Sequence, residues 1–309
     1  MAAVIPRATA STHSSATSWL FVPQARGRIA WLRLAAYVFV PLDIFYATPW
    51  VAQHADVPGR LYHALTIARV LHLPEPTPTS IRATMWLLLV TSIAAVAGRA
   101  PRLLGAAVAV LYAWWMLIAM SYGKVDHDRY AFLVLLAVLP TVGPVRRDDT
   151  REDAESGWAL WCVQLAVVAT YFLAAVAKFR FGGWNWATGS TLSFAILRRG
   201  TFLADPLLQL PWLIVALQWG ILMFELATPM LLVRNRWRSR FVLFLYGFHL
   251  SSCLGLRIAF WPHLVALLAF VPLEHLPKWW AARRRSTEIL GVPRPRSAAT
   301  VAVSVDEAR

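Results

Sequence analysis

Cysteine is nearly missing from this chain. Only Cys162 and Cys253 occur in 309 residues, and both sit inside apolar runs. Two such thiols give neither a disulfide framework nor metal-ligand spacing, so no metal is expected. Acid is scarce as well: 16 Asp and Glu stand against 30 Lys and Arg, for a net charge of +14. A basic balance often marks nucleic-acid binding. Here the basic residues gather between apolar runs and in the tails, which is how loops on the inner side of a membrane read, so nucleic acid is not an expected partner. The opening MAAVIPRATASTHSSATSW lacks the continuous apolar core of a cleaved signal peptide. No repeat of fixed period is visible. Nor are the inverted repeats or paired broken helices that mark many secondary transporters.

What the chain does have is apolar length. Hydrophobic residues make up 58% and charged residues 15%, and the mean hydropathy is +0.53. Apolar runs long enough to cross ~30 Å of hydrocarbon as a helix recur. The expected fold is all-α: a polytopic helical membrane protein whose partner is the lipid bilayer. About eight spans are predicted, near 29–47, 81–98, 103–121, 130–143, 157–177, 211–233, 240–256 and 259–275. The fourth and eighth are short for a full crossing. Residues 1–28 and the basic stretch 277–309 read as disordered tails around a transmembrane domain over 29–276. With the N-terminus inside, inner segments carry 19 Lys and Arg and outer segments 10, which places both termini in the cytoplasm. The stretch TLSFAILRRGTF, in the connection 178–210, reads as a short amphipathic helix at the interface.

Several polar residues fall where a bilayer resists them. Arg33 and Asp43 share the first span, but ten residues at 1.5 Å rise set them ~15 Å apart, so each needs a partner on another span. For both, a structural role in holding helices in register stands ahead of catalysis. His127, in KVDHDRYAFLVLL, is a solvated loop histidine or a proton shuttle near the outer face. Gln218 and Glu225 are seven apart and share a helical face; Glu225 reads as the partner of Arg33 or of another cation. His249, Cys253 and Arg257 form one stripe at i, i+4 and i+8, more simply packing than metal binding. Lys178 ends the apolar run YFLAAVAKFRFGGWNW, with Tyr171 one heptad earlier and Trp186 at the close of the stretch. A lysine at a helix end commonly snorkels; a desolvated one can serve as a general base. Residue chemistry alone puts snorkelling first.

Four stretches in order resemble one known family: WLRLAAYVFVPLDI, DHDRYAFLVLLA, YFLAAVAKFRFGGWNWATG, and LQWGILMFELATPMLLV followed by FLYGFHLSSCLGLRIAFWPHLVALLAF. From about residue 29 to 276 the chain resembles the membrane domain of vitamin K-dependent gamma-carboxylases and the bacterial HTTM (horizontally transferred transmembrane) proteins. That resemblance implies a catalytic role for Lys178, His127 and His249. It also implies a reduced quinone, vitamin K- or menaquinone-like, used with O2 and CO2 in a lyase-type reaction, and a bacterial plasma membrane location. In the family the lysine deprotonates the reduced quinone. Three departures stand out. Ala177–Lys178 replaces two adjacent lysines, Gln218 replaces a histidine, and no counterpart of the large extracytoplasmic domain follows residue 276. A separately encoded extracytoplasmic protein would then supply that part. The other two classes are a lipid- or quinone-binding or transport protein without turnover, and a membrane subunit of a separate partner. In all of these Arg33, Asp43, Gln218, Glu225, Arg257, Tyr171 and Trp186 are structural or cavity-lining.

Overall fold

The computed structural model describes residues 18–276. The tails predicted over 1–17 and 277–309 lie outside the described residues. Residues 18–28, placed by the sequence in the N-terminal tail, carry secondary structure. They hold a 3-10 turn at Ser18–Phe21, strand β1 (Gln24–Ala25) and the start of helix α1 (Arg26–Leu42). Strand β1 pairs antiparallel with β2 (Glu152–Asp153), tying the entry of α1 to the entry of a later helix.

Eleven α-helices are present among the described residues. After α1 come α2 (Pro49–Gln53), α3 (Thr66–Val70), α4 (Pro78–Val96), α5 (Pro101–Met120), α6 (Tyr130–Val138), α7 (Ala154–Ala177), α8 (Ser190–Arg199), α9 (Pro211–Ala227), α10 (Trp237–Leu256) and α11 (Trp261–Leu267). Counting the turns that prolong them, six stretches are long and apolar enough to cross a membrane: Arg26–Ala47, Pro78–Val96, Pro101–Met120, Ala154–Ala187, Pro211–Leu232 and Trp237–Leu256. Of the eight expected spans, six are candidates by length and composition among the described residues. The two that fall short are α6, 9 residues long, and α11, 7 residues long. Each gives way to a 3-10 turn, at Leu139–Thr141 and Leu268–Phe270. In α6 the cause is Pro140, which has no N–H to continue the ladder. Both short helices are packed inside protein: α6 lies against α5 and α7, and α11 against α6, α1 and α7.

Helix ends follow their local chemistry. Thr77 and Ser80 cap the start of α4 reciprocally, with Pro78 in the first turn where its missing N–H costs nothing. Asp153 accepts from the Ser156 N–H at 2.7 Å at the start of α7. Pro41 near the end of α1 precedes a π-turn over Asp43–Ala47, which Thr48 closes by donating its N–H to the Asp43 carbonyl at 2.6 Å. A second π-turn, Lys178–Gly182, follows α7, and Gly183 reverses the chain at φ 57, where a side chain would be strained.

Trp115, Tyr112, Tyr37 and Phe132 are fully buried where α1, α5 and α6 meet. Gly105 lets α5 approach α1, since a Cβ there would lie 2.6 Å from the Tyr37 hydroxyl. Trp86, Leu87, Val90, Ile93, Leu103 and Val110 of α4 and α5 point outward and are exposed. Such a belt suits hydrocarbon as its solvent. The segment TLSFAILRRGTF does form a short helix, α8, with Ile196 buried and Phe194 and Leu197 exposed.

Candidate active site

Two ion pairs join distant parts of the fold. In the first, Asp43, fully buried, accepts from Arg129 Nη1 at 2.9 and 2.8 Å and from the Tyr112 hydroxyl at 2.9 Å. Thr48 donates to the Asp43 carbonyl at 3.0 Å and itself accepts from Trp115 Nε1 at 3.2 Å. The π-turn after α1 turns the carboxylate into this network. Arg33 does not take part, and its partner is not an acid. It donates to the carbonyls of Leu139, Val142 and Gly143 at 2.8, 2.5 and 3.0 Å, satisfying backbone groups that α6 leaves open as it ends. Asp43 thus sits in a carboxylate–guanidinium network and Arg33 in a set of carbonyl caps, rather than the two sharing a pair.

The second pair is Lys178 with Glu225. The lysine Nζ lies 2.5 and 2.6 Å from the two carboxylate oxygens, with 22% of the lysine side chain and 8% of the glutamate exposed. The cation partner of Glu225 is therefore Lys178, not Arg33. The ammonium also lies 5.3 Å from the centre of the Trp186 ring, within cation–π range. Lys178 caps the C-terminus of α7, so its side chain is presented where the helix opens into the π-turn. Gln218, two turns before Glu225 on α9, donates to the Trp186 carbonyl and accepts from the Leu192 N–H at 3.2 Å. It fixes the loop that carries Trp186.

Around this pair the fold leaves space. A cavity of about 310 Å³ is lined by His127, Lys178, Glu225, His249 and His263 together with Tyr171 and Trp186. A second opening of about 600 Å³ shares His127, Lys178 and Trp186 with it, and is walled by Ala169, Ala174, Ala177 and Gly182, whose small size leaves the room. Thus Lys178, His127 and His249, placed together in the sequence only by resemblance, line one cavity. His127 is exposed at its rim, on the 3-10 turn His127–Arg129. Asp128 of the same turn also lines the cavity; burial pushes its carboxyl up from the ordinary value, against the pull of Arg129.

Deeper in, the Tyr171 hydroxyl and His249 Nε2 share a hydrogen bond of 2.5 Å. With the hydroxyl donating, His249 carries its proton on Nδ1, and that nitrogen has no hydrogen-bond partner among the described residues. His263 sits edge-on to Tyr171 with ring centres 4.6 Å apart. It is 2% exposed, and neither of its nitrogens has a partner among the described residues. Buried polar atoms without partners are uncommon, and three of them lie on two rings that line this cavity.

Sequence reasoning missed Arg129, Tyr112 and His263. Arg129 was counted only as a loop charge, and His263, in WPH, was absorbed into the last apolar run. The stripe His249–Cys253–Arg257 ends early. Arg257 lies past the end of α10 at φ 54, exposed, and does not line the cavity. Among the described residues no three His, Cys, Asp or Glu side chains come together so as to hold a metal ion.

A family model for the HTTM domain matches residues 69–279. The chain belongs to the HTTM domain family. The matched stretch contains Lys178, His127, His249, Tyr171, Trp186, Gln218, Glu225 and Arg257, whereas Arg33 and Asp43 precede it. No curated protein and no solved structure matches the chain. HTTM membership and six apolar crossing-length helices together make this an integral membrane protein.

Proposed function

We propose that this HTTM protein is a membrane enzyme that abstracts a proton from a lipophilic substrate, with Lys178 as the base. The observation that carries this reading is the convergence of Lys178, Glu225, His127, His249 and His263 on one cavity with largely apolar walls. Lys178 Nζ and the Glu225 carboxylate lie 2.5 Å apart, so one proton can pass from Lys178 to Glu225 without changing the net charge of the site. The freed amine can then accept a proton from a substrate beside it, and Glu225 gives up its own proton toward the rim of the cavity, which restores the ammonium–carboxylate pair. His127, at the rim, is placed to exchange protons with solvent. His249, oriented by Tyr171, offers its Nδ1 as a donor to a substrate oxygen.

A reduced quinone fits these residues. The cavity volumes fall in the range of small-molecule sites, the walls are apolar, and the partnerless nitrogens of His249 and His263 match its two oxygens in kind. When bound, such a group supplies, with O2 and CO2, the strong base and the carbon source that the carboxylase resemblance implies. Lys178, His249 and His263 would hold it. An outer-side site, cytoplasmic termini and a bacterial plasma membrane location belong to the same proposal. The test is oxygen-dependent consumption of a hydroquinone by the purified full chain, compared with Lys178→Ala. Turnover that falls only in the variant supports the proposal. Equal turnover in both removes the base. Quinone retained without consumption in native mass spectrometry moves the protein to the binding or transport class instead.

A further inference from the structure

Helices α9 and α10 follow each other in the chain, yet their backbones stand apart. Phe224 of α9 bridges the gap to Phe244 and Phe248 of α10, with ring centres 5.5 and 4.5 Å away. Beside these rings lies a groove of about 640 Å³, a volume that suits a small-molecule site. Gly220 and Gly247 line it from the two helices, and a Cβ on either would meet no neighbouring group within 4 Å. Leu217 and Phe244 line it too and are exposed, so the groove opens outward. Helix α8 adds Leu192 and Ile196 to its wall. Among the described residues, none that lines the groove is ionisable. Its two polar side chains, Ser251 and Ser252, are turned back on α10, donating to the carbonyls of Gly247 and Phe248 at 2.8 and 3.0 Å. Such a lining offers little to a charged group and suits hydrocarbon. What separates this groove from ordinary lipid-facing surface is its inner wall. Ile221, Phe248, Ser252 and Leu256 line both the groove and the cavity of Lys178 and Glu225. Ile221 lies one turn before Glu225, and Phe248 adjoins His249.

We propose that the groove between α9 and α10 holds the hydrocarbon chain of the lipophilic substrate whose head lies at Lys178. The inference rests on the function proposed above and adds to it where the substrate's tail goes. A chain seated there enters sideways from the lipid, and its head passes the shared wall into the cavity. The opening of about 600 Å³ beside Lys178 is the poorer seat, because His127 and Lys178 line it. A chain there would lie against groups that the proposed reaction keeps in contact with protons.

The full chain in detergent is assayed with a naphthohydroquinone bearing no tail, and with the same ring bearing a prenyl or a saturated alkyl tail of equal length. Gly220→Leu and Gly247→Leu add side chains to open space on helices, so both variants should fold. Each should raise KM for the tailed substrates about tenfold and leave the tail-less one unchanged. A loss with either tail supports the groove, and the tail that suffers more names the chain. Ala169→Leu, in the other opening, should leave the ratio of tailed to tail-less KM as it was. A shift in that ratio with Ala169→Leu but not with the glycine variants places the chain there and overturns the proposal. So do equal losses with and without a tail, which would mean a distorted site. If no hydroquinone is consumed, the base fails, but retention of the tailed quinone in native mass spectrometry still reads the groove. That retention should drop in both glycine variants, and unchanged retention overturns the groove on its own. A wild-type dimer that Gly220→Leu dissolves would give the groove to a helix of a second copy, which also overturns it.

Discussion

The pairs Asp43–Arg129 and Lys178–Glu225 both set one acid against one base inside an apolar fold, yet their surroundings differ. Around Asp43 every polar group present is spoken for: Tyr112, Thr48 and the backbone complete the set, and Trp115 seals it. Lys178 and Glu225 line a cavity, and three buried ring nitrogens of His249 and His263, which line it too, are left without partners among the described residues. A saturated pair holds helices in place and has nothing to offer a ligand. A pair beside a cavity, with unpartnered groups around it, is a poorer strut, and under the proposed function it is the reagent. The difference lies in the neighbours rather than in the ions.

Breaking the saturated pair should have the largest effect on the fold. Asp43→Asn leaves Arg129 buried without its counter-ion and should cost about 3–5 kcal/mol, measured by denaturant unfolding in micelles. Lys178→Ala should cost less than half as much, because Lys178 is already partly open to the cavity. Equal losses in the two variants would erase the distinction between strut and reagent. The activity assay should invert the order. Lys178→Ala and Glu225→Gln should lower hydroquinone consumption by about 10²-fold or more. A folded Asp43→Glu variant should keep most of it, since Asp43 lines none of the cavity.

A smaller effect sharpens the comparison inside the cavity itself. His263→Phe removes two unpartnered nitrogens and fills the same space, so stability should change by no more than about 1 kcal/mol. Tyr171→Phe should lose about 1 kcal/mol for its bond to His249. If His263→Phe unfolds the protein, the ring has a structural partner and the cavity loses one of its site groups.

The helices were legible because hydrocarbon length is written directly in apolar runs, and α1, α4, α5, α7, α9 and α10 all lie under predicted spans. The two runs that fall short of crossing length were legible only as short. What stops α6 is Pro140, but what makes a stub tolerable is its burial among α5, α7 and α11, a tertiary fact. Lys178, His127 and His249 were brought together by family resemblance; their spacing of 51 and 71 residues carries no geometry. The partner of Arg33 was unreadable for a different reason: backbone carbonyls accept without any side-chain signature. Arg129 was misread because a charge at the edge of a span looks like a loop charge. Only the π-turn that aims Asp43 at it shows otherwise.

Asp149, whose partner Arg151 is exposed, gives a reference outside the spans for the two buried pairs. It lies outside the spans, in the loop before β2. The guanidinium of Arg151 holds its carboxyl at about 2, below the ordinary 3.8, with Arg26 adding a smaller pull. Because the folded value is depressed, the group binds its proton more readily in the unfolded chain. Its stabilisation is fully present above 3.8 and is lost as the pH falls through about 2. Arg151→Gln should flatten that part of the thermal-melt profile between pH 4 and pH 2, and leave the melt at pH 7 lower by only the small worth of a surface pair. Raised salt should mimic the variant, since exposed charges are screened. It should leave Asp43→Asn as damaging as before, because the buried pair lies beyond the reach of mobile ions. An Asp43 pair that weakened with salt as Asp149 does would mean that water reaches α1 and α5, and the contrast between a dry strut and a loop pair with one exposed partner would collapse.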